Sequence, residues 1–468
     1  MTSSSPFVRI VVLSFDGGQM TIDCIDSLLL TAWPADGYEI VMVDNGSLDD
    51  VTARVRRDYP MVRVLEPLRN LGFAGGCNLG LSATHDSDGN ELRAYEFAAL
   101  INNDATVEPR WLEGLLSGFD AGSDVGAVSA KMLFADRFTG IDVSVSETTV
   151  AGGGDDRTIG VCVSAVRIDG RREDRRLQFD EGFHGPVAHD PSRDEEFARW
   201  SKKAGSLRIA ETRSDPAITQ TVSLRLSAET PRLVTLTTDI DEVTVEIGGG
   251  YSDKEPVFTW VDVRIGSDVF DVVNNVGSNL YERGFGGDRG FLERDRGQYD
   301  QAAEVFAWCG GAVLLRAEYL ESVGLFDERL FLYYEDTDLS WRGRLQGWRY
   351  IYTPEAVVRH RHAQSSGVGS DVFRFHTERN RLLVLAKNAP MWLAARAGLG
   401  EVKRTLVLNV RHLVLRPLTL RMPSRPEARH RRRVLKSYVS LLPAMLRDRW
   451  MMDRHVSRGS LMRWEVSK

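Results

Sequence analysis

The strongest constraint on this chain is the alternation, over residues 7–135, of short apolar runs with segments of helical spacing. Residues 8–13 are a mostly apolar run of the kind that suits a strand buried on both faces. Residues 21–31 place Ile22, Ile25, Leu28 and Leu29 on one helical face. Residues 39–43 read as a second strand, 48–58 as a helix and 62–65 as a third strand. A glycine-rich turn then opens a helix over 75–82, and 97–101 read as a fourth strand. Strand and helix in strict turn imply an α/β fold with a doubly wound, mostly parallel sheet.

At 468 residues the chain is too long for one simple core. The pattern changes accordingly. Over 138–269 the helical period is lost, and residues 221–227, 233–238, 243–247 and 261–265 alternate apolar and polar side chains between turn signals. That spacing predicts an inserted antiparallel β-sandwich-like domain, with the charged stretch 170–203 as a surface loop. α/β character resumes afterwards. A strand region over 304–315, helices over 318–323 and 336–345, a strand over 350–352 and a helix over 376–387 follow. The expected division is 1–137, 138–269, 270–390 and a basic helical tail over 391–468.

Chemistry-bearing residues gather where strands of the first pattern end. Asp44-Asn45-Gly46-Ser47 and Asn102-Asn103-Asp104 both fall at carboxyl ends of strands, where open α/β sheets bind ligands. Such residues also make ordinary turns. Asp104 is well placed to hold a divalent cation, since Mg²⁺ favours oxygen ligands and substrate phosphates. Residues 70–76, Asn-Leu-Gly-Phe-Ala-Gly-Gly, form a glycine-rich turn before a helix, neither a P-loop nor a GxGxxG fingerprint. Residues 330–342 run Leu-Phe-Leu-Tyr-Tyr-Glu-Asp-Thr-Asp-Leu-Ser-Trp-Arg. Glu335, Asp336 and Asp338 there follow an aromatic run. Carboxylates beside apolar surface are costly unless solvated, paired or used; a helix N-terminus favours them in any case. His360 and His362 are candidate imidazole ligands for Mn²⁺ or Mg²⁺.

Taken together these motifs resemble the GT-A fold family 2 glycosyltransferases, in particular a rhamnosyltransferase-like branch. The matching segments are Val11-Val12-Leu13-Ser14-Phe15-Asp16-Gly17, Val43 with 44–47, 70–76, 102–104, Gly310-Gly311-Ala312, Gly324-Leu325-Phe326-Asp327-Glu328, 335–342 and His360. They cover about 1–135 and 270–390, and leave the insert outside. The resemblance implies roles. Asp44, with Asn45, would recognise the nucleoside, and Gly72-Phe73 would lie along it. Asp104 would be the metal ligand of a DXD-like element whose first position here is Asn102. His360 would be the further metal contact, with His362 the competing assignment. Asp336 would be the catalytic base, supported by Glu335, Asp338 and Arg342; Glu335 and Asp338 are the alternative bases, and Asp338 otherwise caps or orients the helix, paired with Arg342. Gly310 and Gly311 would lie on the acceptor side. Cys77 stands where a polar Asn is frequent and receives no role. Within 284–299, rich in Gly, Asp and Arg, Arg289 would approach a donor phosphate from a mobile flap.

The expected activity is therefore an inverting, Mg²⁺- or Mn²⁺-dependent sugar transfer from a nucleotide sugar, with dTDP-rhamnose the leading donor. The acceptor would be a cell-surface glycan or a lipid-linked glycan. A sugar nucleotidyltransferase is the first rival, but residues 14–20 carry no cation for a triphosphate. A non-catalytic carbohydrate-binding protein is the second. The tail carries 18 Lys and Arg against 5 Asp and Glu in a chain of net charge −7. That asymmetry suggests an anionic membrane surface, met through the cations of 429–436 and the apolar run 438–446. No nucleic-acid partner is expected, and an oligomer remains open. Four scattered cysteines point to a reducing compartment, and the first residues do not read as a secretory signal. The expectation is a cytoplasmic protein, peripheral at the inner membrane face.

Overall fold

The computed structural model describes residues 5–151, 156–185, 198–249, 251–252, 255–361, 370–411 and 425–467. Two compact units emerge, one from residues 1–135 and 273–468 and one from 136–272.

The first unit is built on a ten-stranded sheet. Its leading strands are β1 (Val8–Ser14), β2 (Tyr38–Asp44), β3 (Arg63–Leu65) and β4 (Phe97–Asn102), followed by β5 (Ala105–Val107) and the ten-residue β6 (Val125–Phe134). The order across the sheet is Ala303–Glu304, Arg349–His360, β6, Ala312–Arg316, β4, β1, β2, β3. β1 pairs parallel with both β2 and β4. The sheet is nevertheless mixed, not mostly parallel. Ala312–Arg316 runs antiparallel between β4 and β6, while Arg349–His360 is parallel to β6. The expected strand region over 304–315 resolves into Ala303–Glu304 and Ala312–Arg316, separated by residues 305–311, and the two strands join different neighbours. Alternate residues of each strand feed opposite core layers. Val8, Ile10 and Val12 enter one layer with Phe97, Ala99 and Ile101; Val11 enters the other with Ala98 and Leu100. Burial on both faces is why these strands read as continuous apolar runs.

Helices α1 (Gly18–Leu29), α2 (Val51–Asp58) and α4 (Trp111–Ser117) supply the first layer; α3 (Gly72–Ser82), α5 (Ala317–Val323) and α6 (Glu335–Gln346) supply the second. A further core packs α7 (Asp371–Asn388), α8 (Met391–Asn409) and the long helix α9 (Arg425–Met451) around Trp341, Leu383, Leu393 and Tyr438. No described helix is long and apolar enough to cross a membrane.

The described strands of the second unit pair antiparallel. One sheet joins Cys162–Ile168, Gln220–Ser227 and Thr259–Ile265; the other joins Leu177–Phe179, Ala204–Ala210, Phe138–Val145, Arg232–Thr237 and Glu242–Ile247. Ile141, Val143, Val163, Leu224, Leu236 and Val263 from both sheets share one core. Within the charged stretch 170–203, Leu177–Phe179 and Arg199–Trp200 are paired strands, and residues 186–197 lie outside the described residues.

Candidate active site

The site is assembled at the carboxyl ends of β1, β2 and β4. Ser14 closes β1 with its hydroxyl 2.9 Å from Thr21 Oγ1. Asp44 is buried at the end of β2, where Oδ1 accepts from the Ser47 amide at 3.0 Å and Oδ2 from the Thr52 hydroxyl at 2.7 Å. Asp16 sits at φ 48°, and its Oδ1 accepts from the Leu48 amide at 2.7 Å, which ties the two loops together. Asn45 reaches the glycine-rich turn. Its Nδ2 donates to Asn70 Oδ1 and the Gly72 carbonyl, both at 3.1 Å, and its Oδ1 accepts from the Leu71 amide at 2.8 Å. Gly72 is required here for two reasons. Its φ is +72°, and a Cβ would stand 2.5 Å from the Phe331 carbonyl oxygen. The Phe73 ring packs edge-on against Phe326 and touches the position a Cβ on Gly310 would occupy.

Antiparallel pairing of β5 with Arg349–His360 sets His360 opposite Ala105, one residue beyond Asp104. This register brings His360 Nε2 to 2.9 Å from Asp104 Oδ1 and 3.3 Å from Asn102 Nδ2, although the residues are 256 and 258 positions apart. Both side chains are buried. His360 Nδ1 lies 3.1 Å from Asn274 Oδ1, an acceptor that fixes the ring's orientation from behind. One carboxylate and one imidazole suit a divalent cation that also takes phosphate oxygens. Among the described residues no group of three or more His, Cys, Asp or Glu is arranged to hold a metal. Asn103 turns away and donates to Thr21 Oγ1 at 3.0 Å. His362 and Gln364-Ser365-Ser366-Gly367 lie outside the described residues.

The third wall is the first turn of α6. It follows a strained segment in which Phe331, Tyr333 and Tyr334 all have positive φ, between 64° and 70°. Asn380 of α7 holds that segment, its Nδ2 facing the carbonyls of Leu330, Leu332 and Tyr333 at 2.6–2.9 Å. Asp336 Oδ2 accepts from the Gly310 amide at 3.3 Å and Oδ1 from the Thr337 amide at 2.6 Å. Desolvation in the cleft raises its carboxyl above the ordinary range, against those hydrogen bonds. Glu335 is buried, its Oε2 has no hydrogen-bond partner, and burial with Asp336 nearby pushes it well up. Gly311 accepts the Asn102 amide through its carbonyl, which links this wall to β4.

Asp338 belongs elsewhere. It is fully buried, accepting from Arg342 Nε at 2.9 Å, Lys387 Nζ at 3.0 Å and Asn388 Nδ2 at 2.7 Å. Arg342 also donates to the Val323 and Leu325 carbonyls. Arg289 stacks over the rings of Tyr299 and Tyr352 and donates to the Val276 carbonyl at 3.1 Å. Its backbone pairs with Gly277 and Val276, so the described part of the expected flap is tied down.

Three residues near the site carried no sequence signal that singled them out: Asn274, Asn380 and Asp288. Asp288 Oδ1 accepts from Asn275 Nδ2 at 2.6 Å. The carboxyl keeps solvent-facing surface, but protein crowds around it and Asp336 is close. The result, chiefly desolvation, is a pKa pushed up to about 6.

Residues 9–141 match the family described as Glycosyl transferase family 2. The chain is 46% identical over 61 residues to the N-acetylglucosaminyl-diphospho-decaprenol L-rhamnosyltransferase of Mycobacterium tuberculosis, covering 13% of this chain and 20% of that protein. It is 25% identical over 137 residues to Glycosyltransferase AglE of Haloferax volcanii, covering 29% and 42%. The chain thus spans a fifth and about two fifths of the lengths of these relatives. A mannosyltransferase from Pyrobaculum calidifontis, solved in complex with GDP-Man and Mn²⁺, aligns over 94% of this chain and 88% of its own at 13% identity, with a TM-score of 0.39.

Proposed function

We propose that the chain, whose residues 9–141 match the family described as Glycosyl transferase family 2, is an inverting glycosyltransferase that moves a sugar from a nucleotide-sugar donor to a hydroxyl of a glycan or lipid-linked acceptor. The observation that carries this reading is the meeting of Asp104 and His360 at 2.9 Å, across from Asp336 on α6.

Asp104 and His360 would hold Mg²⁺ or Mn²⁺, and the ion would supply positive charge to offset that of the diphosphate. The nucleoside lies against Asp44, Asn45 and Gly72-Phe73. The Asp336 carboxylate takes the proton of the acceptor hydroxyl as that oxygen attacks the anomeric carbon. The bond to the diphosphate breaks with its electron pair on the diphosphate oxygen, and attack from the opposite face inverts the centre. A desolvated carboxyl with a raised pKa is a better base than an ordinary one. Rhamnose from dTDP-rhamnose is the donor favoured, supported by the 61-residue likeness to the mycobacterial rhamnosyltransferase.

The test is a donor-hydrolysis screen with dTDP-rhamnose, UDP-sugars and GDP-sugars, with Mn²⁺, Mg²⁺ or EDTA. Metal-dependent release of one nucleoside diphosphate, lost in Asp336→Asn and in His360→Ala, is expected. Absence of both binding and turnover across all donors would replace this reading with that of a glycan-binding protein.

A further inference from the structure

Beyond its first turn, where Leu393 and Ala394 are buried in the core, helix α8 is amphipathic the wrong way round for a helix on a protein surface. Its buried stripe there is Gly398, Glu401 and Thr405, small or polar, recurring at helical spacing. Its exposed stripe is Trp392, Ala395, Leu399, Val402, Leu406 and Val410, apolar throughout. Leu399 is 70% exposed and Leu406 60%. A surface helix ordinarily turns its apolar stripe to the core and its polar stripe to water. The buried side is set by its neighbour α9. Gly398 sits against the Tyr438 hydroxyl, where a Cβ would come within 2.9 Å, and Glu401 lies 3.6 Å from Arg431. The helix therefore cannot rotate to hide Leu399 and Leu406 without breaking that close approach.

Charge names the occupant. Residues 391–411 contain one acid, the buried Glu401, and four cations, Arg396, Lys403, Arg404 and Arg411, all exposed. The outward face is thus apolar and cationic with no exposed acid. At the α7–α8 junction, Arg449 of α9 donates to the Ala386 and Ala389 carbonyls, and the next two residues, Trp450 and Met451, are highly exposed. We propose that the outward face of α8 lies in the interface of an anionic lipid bilayer, with Leu399, Val402 and Leu406 in the acyl boundary and Arg396, Lys403 and Arg404 at the phosphates. This deepens the reading of a lipid-linked acceptor and takes its purpose from it.

The inference also relocates the membrane contact foreseen in the sequence. The run 429–436 is partly spent inside the protein. Arg431 pairs with Glu378 at 2.8 Å and Glu427 at 3.2 Å, His430 faces Glu378 at 2.9 Å, and Tyr438 and Met445 are buried.

The experiment is flotation of the full-length protein with phosphatidylcholine vesicles, with or without phosphatidylglycerol, alongside donor hydrolysis on the same preparation. Binding to phosphatidylglycerol vesicles that weakens with salt is expected, and Leu399→Glu with Leu406→Glu should reduce it at least tenfold while donor hydrolysis stays unchanged. Three outcomes would overturn the proposal: no binding by the wild type, loss of binding on Arg432→Glu with Arg433→Glu but not in the leucine variant, or a wild-type dimer that the leucine variant dissolves. None of these depends on whether a donor turns over, so each bears on the surface and not on the enzyme.

Discussion

Two carboxylates one residue apart in the first turn of α6 have opposite lives. Asp336 faces a cleft that also contains Asp104, Asp288 and His360, and its hydrogen bonds come from amides and the Thr337 hydroxyl, not from a cation. Asp338 faces inward to Arg342 and Lys387, in a network that continues to Asp327 and Arg329. Burial acts on both. In the cleft it prevails and Asp336 is raised; behind the helix it is outweighed by Lys387 and Arg342, and Asp338 is lowered. Asp327 is lowered likewise, by Arg329 and Lys387 against its own burial. A cavity of about 570 Å³ opens on this second side, lined by Asp327, Arg329, Lys387 and Asp448. Its charges are already paired, so size alone does not make it the reactive site. A carboxylate held ready for a proton and one held to brace a helix differ by their partners, not by their residue type.

The comparison breaks most visibly by neutralising each partner in turn. Asp336→Asn should lower donor turnover by about 10²–10⁴-fold with thermal stability unchanged or higher, since a desolvated charge is removed. Asp338→Ala should do the reverse in kind. It leaves Arg342 and Lys387 buried with a partner missing, at a cost of about 3–5 kcal/mol, read as a lower denaturant midpoint. A turnover loss in Asp338→Ala without loss of stability would erase the distinction. From the other side of the cleft, Asn274→Leu removes the acceptor behind His360. It should raise the Mn²⁺ concentration needed for half-maximal hydrolysis by about 10–100-fold, and excess Mn²⁺ should restore the rate.

The distinction was half visible in the sequence. Strand periodicity and turn residues, which are local signals, put Asp44 and Asp104 at strand ends, and the carboxylate cluster after an aromatic run put Asp336 at the start of a helix. Pairing of Asp338 with Arg342 was legible too, as an i,i+4 contact on one helix. Lys387 and Asn388 were not, because only the docking of α7 brings them to α6. Nor was Asn380, whose role lies in three carbonyls 47–50 residues away. The antiparallel insertion of Ala312–Arg316 between β4 and β6 escaped notice for a related reason. An apolar run buried on both faces looks the same in either direction. The apolar spacing of α8 is present in the sequence, but which face is buried depends on the packing of Gly398 against Tyr438.

The smallest effect gives the most searching test, because the two carboxylate sets should respond to pH with opposite sign. Asp288 is held at about 6 in the folded protein, above its ordinary value near 3.9. The native state then binds that proton more tightly than the unfolded chain, so stability falls as pH climbs from about 4 to 6. Asp288→Asn, neutral throughout, escapes that loss. Its Tm relative to wild type should therefore be higher at pH 7.5 than at pH 4, modestly so because the carboxyl retains contact with water. Asp338 is lowered, so its contribution is present above the ordinary carboxylate range and is lost on acidification below it. The deficit of Asp338→Asn should be full at pH 7.5 and shrink towards pH 3.5. Tm measured for both variants across this range should give two curves of opposite slope. Parallel curves would mean that the cleft and the ion-pair network are electrostatically alike, and that Asp336 has no special environment from which to act as a base.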